Sequence, residues 1–385
     1  MKPLLKWPGG KTGEMKVIEQ FIPRYERYIE PFFGGGAVFF HLPPGKAVLN
    51  DISKNLTDFY TLVKKQDSQF ERALYSYNQS WKLVGDYFDS VFPELSTAYQ
   101  KFRRGTLADE ELNSEIISAL ARSYSLFVTL FSQSVIGDSE KLFGEIQHNC
   151  IDKIRRMIQL EHKMQQELHA GDLKDNMETG FRRGFYVHAR NLYNAIALRA
   201  EIADQISAEE KAANFYFIRE YCYGSMFRYN RSGEFNIPYG GIAYNKKNFT
   251  RKIDRLFQPE TKTYFQQADI YNMDFESFLM SIDPSEEDFI FLDPPYDSDF
   301  SDYEGLSFGR NDQLRLANLL GKMQAKFILV IKNTDYIIDL YQPRRHLMIL
   351  DFDKQYAYNV KSRNNRDVNH LIITNCHAPT KRNGW

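Results

Sequence analysis

The chain has 385 residues, roughly two and a half times the ~150-residue length of an ordinary domain, so two or three folding units are expected and a small stapled scaffold is excluded. Its 49 basic and 50 acidic side chains leave a formal net charge of −1, so no overall positive field marks it for a polyanionic partner. The 30 Phe, 24 Tyr and 3 Trp exceed what a core of this size requires and leave flat side chains for ligands or bases.

Met1 to Lys11 lacks the apolar run of an export signal. Cys150, Cys222 and Cys376 are too few and too scattered for a disulfide framework or a zinc cluster, and a cytoplasmic protein is expected. Tyr28-Ile29 read as a strand leading into Glu30-Pro31-Phe32-Phe33-Gly34-Gly35-Gly36, Ala37 to Leu42 as a helix, and Ala47-Val48-Leu49 as a second buried strand closed by Asn50-Asp51. From about 65 to 182 the spacing is helical, with Ile154, Met157, Ile158, Leu160, Met164 and Leu168 on one apolar stripe. The most apolar window, Ile116 to Ile136, contains Arg122 and Gln133, which predicts a buried helix and no membrane span. Residues 183–265 are rich in Tyr, Arg, Asn and Gly. Strand-like runs resume at Phe289 to Leu292, Phe327 to Ile331, His346 to Leu350 and His370 to Thr374. The predicted fold is α/β: segments 1–64 and 266–385 share one mixed sheet with an antiparallel C-terminal edge, and the middle of the chain is an excursion from it.

A strand followed at once by three glycines and a helix brings backbone N–H groups to a ligand, because glycine permits close approach and positive φ. A plain tight turn has the same pattern, and G-x-G-x-x-G is absent. Asp51, 17 residues beyond Gly34 at the end of the next strand, is placed to accept bonds from ribose hydroxyls. Glu30 would repel a pyrophosphate, so the combination favours a nucleoside carrying positive charge, a description that S-adenosylmethionine meets with its sulfonium and amino groups.

Asp293-Pro294-Pro295-Tyr296 follows an apolar strand and so stands at the carboxyl edge of the sheet. Two prolines fix the backbone and donate nothing, which leaves the Asp293 carboxylate and the Pro294 carbonyl as acceptors for an exocyclic amino group, with Tyr296 as a stacking face. A strand-ending turn with a structural tyrosine is the bland alternative.

In order along the chain, Leu5-Lys6-Trp7-Pro8-Gly9-Gly10-Lys11, Glu30 to Gly36, Asn50-Asp51-Ile52, Arg228-Tyr229-Asn230 with Gly233 to Gly240, and Asp293 to Tyr296 resemble the Dam-type DNA adenine-N6 methyltransferases, over about 1–75 and 183–376. The resemblance implies a Rossmann-like S-adenosylmethionine-dependent methyltransferase core plus an inserted helical and DNA-recognition region. It divides the chain into a cofactor-binding part (1–75), a helical insertion (76–182), a target-recognition region (183–265) and a part carrying the tetrapeptide (266–385). It assigns cofactor contacts to Trp7, Lys11, Asp51 and Asp293, joined by Glu30, Phe32, Gly34 and Gly36 of the loop. Asp293, Pro294 and Tyr296 hold a flipped adenine, since N6 is locked in base pairing until the base is extruded. S-adenosylhomocysteine is the product. No metal is expected, because the eight histidines form no ligand set.

Double-stranded DNA is the implied partner of a monomer in a prokaryotic cell or its phage, and a companion restriction endonuclease is left open. Between Arg219 and Lys262 nine basic residues face four acidic ones, interleaved with Tyr221, Tyr223, Phe227, Tyr229, Phe235, Tyr239 and Tyr244, the mixture of phosphate contacts and aromatic wedges that opens a duplex. By resemblance Arg228 reads a guanine, Lys6 is a second guanine contact, Tyr223 wedges into the stack and Met226 meets a thymine methyl, with Asn230 and Arg231 in the same segment. Where the family commonly has Asn-Gly, this chain has Gly224-Ser225, so a GATC-like site is expected with one amide contact missing. Two other readings stay open: a methylase of another amino acceptor (cytosine N4 or a protein amide), and a non-catalytic DNA-binding regulator of the same fold.

Overall fold

Seven short strands, β1 (Arg27–Glu30), β2 (Ala47–Asn50), β3 (Ala268–Tyr271), β4 (Asp288–Leu292), β5 (Lys326–Lys332), β6 (Met348–Gln355) and β7 (Asp367–Thr374), form one sheet in the order β3-β2-β1-β4-β5-β7-β6. The computed structural model describes residues 1–131, 138–295, 308–355 and 367–376. β1 pairs in parallel with β2 and β4, β2 with β3, and β4 with β5, while β7 runs antiparallel to both β5 and β6. The strand order reverses direction between β1 and β4, and that switch point leaves a crevice beyond their carboxyl ends.

The pattern of the strands explains the layering. Ile29, Ile290, Leu292, Leu329 and Ile331 turn to one face and pack with Phe275, Phe278, Leu316, Leu320 and Tyr341. Tyr28 and Phe289 turn to the other, where Phe33, Phe39, Phe40, Tyr60 and Phe265 form a ring cluster. β4 is buried over its whole length, as a central parallel strand must be. Its one charge, Asp288, is matched by Arg27, which donates from Nε at 2.9 Å and from a terminal nitrogen at 2.7 Å.

The chain divides into two compact units. One comprises 1–66, 227–229 and 257–385, and the other 67–226 and 230–256. The first holds the sheet. The second is helical, built on Ser68–Arg103, Ser139–Met164, Ala170–Leu198 and Ala208–Tyr221. Gly180 and Gly184 let the third of these helices approach the second closely, since a Cβ on Gly184 would stand 2.5 Å from the Cα of Ile146. That helix runs through residues 182 and 183, so the stretch 76–182 lies in one unit with the recognition region to 256, apart from 227–229.

Several expectations change. Ala37 to His41 are a succession of turns, with Phe40 N–H donating to Gly36 and Leu42 N–H to Val38, not a helix. The segment has room for barely more than one turn between Gly36 and the Pro43-Pro44 pair, too little to nucleate. β3 escapes a sequence reading because Asp269 and Tyr271 are exposed and interrupt any apolar run. The stripe on Ser139–Met164 is Leu142, Ile146, Cys150, Ile154 and Met157; Leu160 and Met164 are exposed, and Leu168 lies past the Gln165 cap. The apolar window gives two helices, Asp109–Arg122 and Tyr124–Phe131, and its remainder 132–137 lies outside the described residues. Among the described residues no helix is long and apolar enough to cross a membrane.

Candidate active site

A cavity of about 270 Å³ opens beyond the carboxyl ends of β1, β2 and β4, close to the lower end of the ~300–1,000 Å³ range of small-ligand sites. Its lining takes in Trp7, Lys11, Glu30, Phe32, Gly34, Gly36, Asp51, Asp293 and Pro294, so the structure gathers every proposed cofactor contact in one place. Tyr296, the remaining member of the tetrapeptide reading, lies outside the described residues.

The glycine loop is fixed from β2. The Gly34 amide donates to Asp51 Oδ2 at 2.8 Å, and the Ser53 amide donates to Oδ1 at 2.9 Å. Asn50, 1% exposed, ties three segments together: its amide donates to Pro31 and Met273 carbonyls at 3.0 Å each and accepts from the Met273 amide at 2.9 Å. Gly34 and Gly36 have the positive φ expected of them, and packing adds a second requirement. Gly34 (φ +48°) lies under the Trp7 indole, where a Cβ would stand 2.8 Å from Cδ1, and a Cβ on Gly36 (φ +66°) would stand 2.7 Å from the Phe33 ring. The room they leave is filled first by the protein's own aromatic rings.

Charge in the cavity is mostly negative. Glu30 is the last residue of β1, 2% exposed, and accepts from Tyr28 Oη at 2.8 Å. Burial, with Asp293 and Asp51 nearby, pushes its carboxyl well above the usual carboxylate range. Lys11, in the short 3₁₀ turn Lys11–Gly13 and only 2% exposed, donates to the Gly9 carbonyl at 2.9 Å and forms an ion pair with Asp293. Five carboxyl groups (Glu30, Asp51, Asp274, Asp293 and Asp312) and one ammonium suit a cationic guest better than an anionic one.

The far wall was not legible in the sequence. Phe32, Phe275 and Phe308 meet with ring centroids 5.4–5.6 Å apart, and Asp274 and Asp312 stand beside them. Arg315 pairs with Asp274 at 2.6 Å and with Asp312 at 2.9 Å and lies over Phe275. The signal was faint because Asp274-Phe275 follow the four-residue β3. Gln313, fully buried, donates from Nε2 to the Pro295 carbonyl at 3.1 Å and holds the proline turn from behind.

The recognition residues divide. Lys6 and Arg228 are exposed and belong to the sheet unit; Tyr223, 49% exposed, half-buried Met226, and exposed Asn230 and Arg231 belong to the helical unit. Asn230 closes its own loop, accepting from the Ser232 and Glu234 amides and donating to the Glu234 carboxylate. The basic and aromatic run is less free than its composition suggests. Arg219 is 1% exposed, Lys252 pairs with buried Glu220, and Tyr221, Phe235 and Tyr239 are core. Among the described residues no group of His, Cys, Asp and Glu is arranged to hold a metal ion.

The strand order, the antiparallel seventh strand and a carboxylate-lined cavity at the switch point define an α/β protein of the S-adenosylmethionine methyltransferase type of fold. The chain matches the model of the D12 class N6 adenine-specific DNA methyltransferases over residues 7–180 and 148–357, and it belongs to that family. It is 26% identical over 379 residues to the type II methyltransferase M.CviBI of Paramecium bursaria Chlorella virus NC1A, covering 97% of this chain and 100% of the relative. To the type II methyltransferase M.MjaIII of Methanocaldococcus jannaschii it is 25% identical over 356 residues, with 89% and 86% covered. To the retron Ec67 DNA adenine methylase of Escherichia coli it is 31% identical over 157 residues, 40% of this chain and 52% of that one.

Proposed function

We propose that the protein transfers the methyl group of S-adenosylmethionine to N6 of a flipped adenine at a specific site in duplex DNA. The observation that supports this best is the cavity itself, with Glu30, Asp51 and Asp293 converging beside an aromatic wall. These residues fit the cofactor. Asp51 lines the cavity as a carboxylate acceptor for ribose hydroxyls, Trp7 and Phe32 offer apolar faces, and the acidic surroundings of Glu30 suit a sulfonium and an ammonium. When bound, the cofactor supplies an electrophilic methyl group.

The chain's own residues orient the acceptor. The Asp293 carboxylate and the Pro294 carbonyl accept the two N–H bonds of the adenine amino group, drawing its lone pair out of ring conjugation and toward the methyl carbon. Orientation and exclusion of water account for the rate, and no covalent intermediate is needed. Tyr296 is assigned the stacking face for the base, Arg228 a guanine of a GATC-like site, with Lys6 as its second reader, Tyr223 the wedge and Met226 a thymine methyl. Arg231, on the loop closed by Asn230, is assigned a phosphate. The two long relatives are type II methyltransferases, which makes a companion restriction endonuclease the partner to look for.

Incubation with methyl-labelled cofactor and a panel of duplexes, followed by nucleoside analysis, tests the reading. N6-methyladenine is expected. Label in cytosine or in protein, or no label on any DNA, overturns it.

A further inference from the structure

We propose that Arg219 is a positioning residue for duplex opening, a buried guanidinium that holds the turn 222–226 in the shape that presents Tyr223. This rests on the reading of Tyr223 as the wedge.

Arg219 belongs to the last turn of helix Ala208–Tyr221 and was counted from sequence among the phosphate contacts. The structure puts it inside: it is 1% exposed, among the largest fully buried side chains of the protein. One terminal nitrogen donates to the Met226 carbonyl at 2.9 Å and the other to the Ser225 carbonyl at 2.5 Å. A guanidinium is costly to take out of water, and an apolar side chain of similar length would fill the same volume without that cost. What the apolar side chain lacks is the rigid planar fork, which can fix two successive carbonyls at once.

The peptides that the fork grips need fixing. Gly224 (φ +61°) and Ser225 (φ +53°) are consecutive left-handed residues, and Ser225, 6% exposed, carries a side chain in a conformation that favours glycine. Because the chain has Gly-Ser where its family commonly has Asn-Gly, the glycine stands one position early and the second left-handed site must be held by other means. The turn is gripped from its other side as well. Tyr223 N–H donates to the Pro238 carbonyl at 2.8 Å, Cys222 bridges to Tyr239, and the Ile237 carbonyl accepts from Tyr186 Oη at 2.8 Å and from Arg190 at 3.2 Å. On this doubly held frame Tyr223 is 49% exposed. A ring that must enter a base stack gains from arriving pre-ordered, because ordering a loose turn during insertion subtracts from binding.

The test compares wild type, Arg219→Lys, Tyr223→Ala and the double variant, reading opening by fluorescence on duplexes carrying 2-aminopurine at the target position and kcat on the same duplexes with adenine there. Arg219→Lys keeps the charge and loses the fork. It is expected to lower the fluorescence rise and kcat by roughly tenfold, with cofactor Kd and far-UV circular dichroism unchanged, and the double variant should be no worse than Tyr223→Ala alone. A mispaired target, already open, should restore Arg219→Lys. Wild-type opening by Tyr223→Ala would sink the wedge reading itself. Impaired Tyr223→Ala with unaffected Arg219→Lys, with additive losses, or with no rescue by the mispair would overturn the positioning role. If Arg219→Lys melts early, the mispair rescue read at low temperature still decides.

Discussion

Lys11 and Asp293, 282 positions apart in the chain, form an ion pair at the cavity, with the lysine 2% and the carboxylate 18% exposed. The pair joins the N-terminal Trp-Pro-Gly-Gly-Lys segment to the proline turn after β4. The tetrapeptide and the N-terminal segment are therefore coupled directly.

Substituting Asp293 should therefore cost both activity and stability. As a bare strand end it would be replaceable without harm to the fold, but its loss leaves the Lys11 ammonium buried without this partner. Asp293→Ala is expected to lower methyl transfer by at least ~10²-fold and to destabilise by about 2 kcal/mol, less than the ~3–5 kcal/mol of a fully buried pair because Asp293 is partly exposed. Adding Lys11→Met should recover much of the stability and none of the activity. Chemical denaturation and single-turnover assays of the single and double variants check this.

The glycine loop should tolerate alanine unequally. Gly34→Ala combines a positive φ with a 2.8 Å approach to Trp7, and about 2 kcal/mol of destabilisation with roughly tenfold weaker cofactor binding is expected. Gly35→Ala, whose φ is ordinary and whose nearest approach is 3.2 Å, should be milder. Equal behaviour of the two in calorimetric titrations with the cofactor would contradict the packing account.

Glu30 gives the protein a pH signature. Its folded-state pKa lies well above that of the unfolded chain, so between the two values the folded state binds more protons and stability falls as pH rises through that window. Glu30→Gln should abolish this slope and raise the Tm at pH 8. A cationic ligand favours the ionised form, so cofactor binding should release protons in wild type and not in Glu30→Gln. Calorimetry in two buffers of different ionisation enthalpy measures the difference.

Arg228 is exposed, so Arg228→Ala should leave the Tm unchanged. Discrimination against a substituted guanine beside the target should fall by ~1–3 kcal/mol. The ratio of kcat/KM on intact and substituted duplexes reads it, and an unchanged ratio would remove Arg228 from the readout.

Features set by near neighbours in the chain can be read from the amino-acid order alone. Apolar runs of β1, β2, β4 and β5, the glycines after β1, Asp51 after β2 and the proline turn after β4 each announce themselves within a few residues, because strand burial and turn chemistry depend on neighbours in the chain. Tertiary structure decided everything that depends on who stands opposite. It made Lys11 a buried partner of Asp293, pushed the Glu30 carboxyl above the usual carboxylate range by burying it beside two other acids, and gave the space over Gly34 to Trp7. It also moved Arg219, Tyr221 and Tyr239 from an apparent DNA surface into the core. Composition counts charges and rings without their burial, and burial sets whether an arginine meets a phosphate or two carbonyls of its own chain.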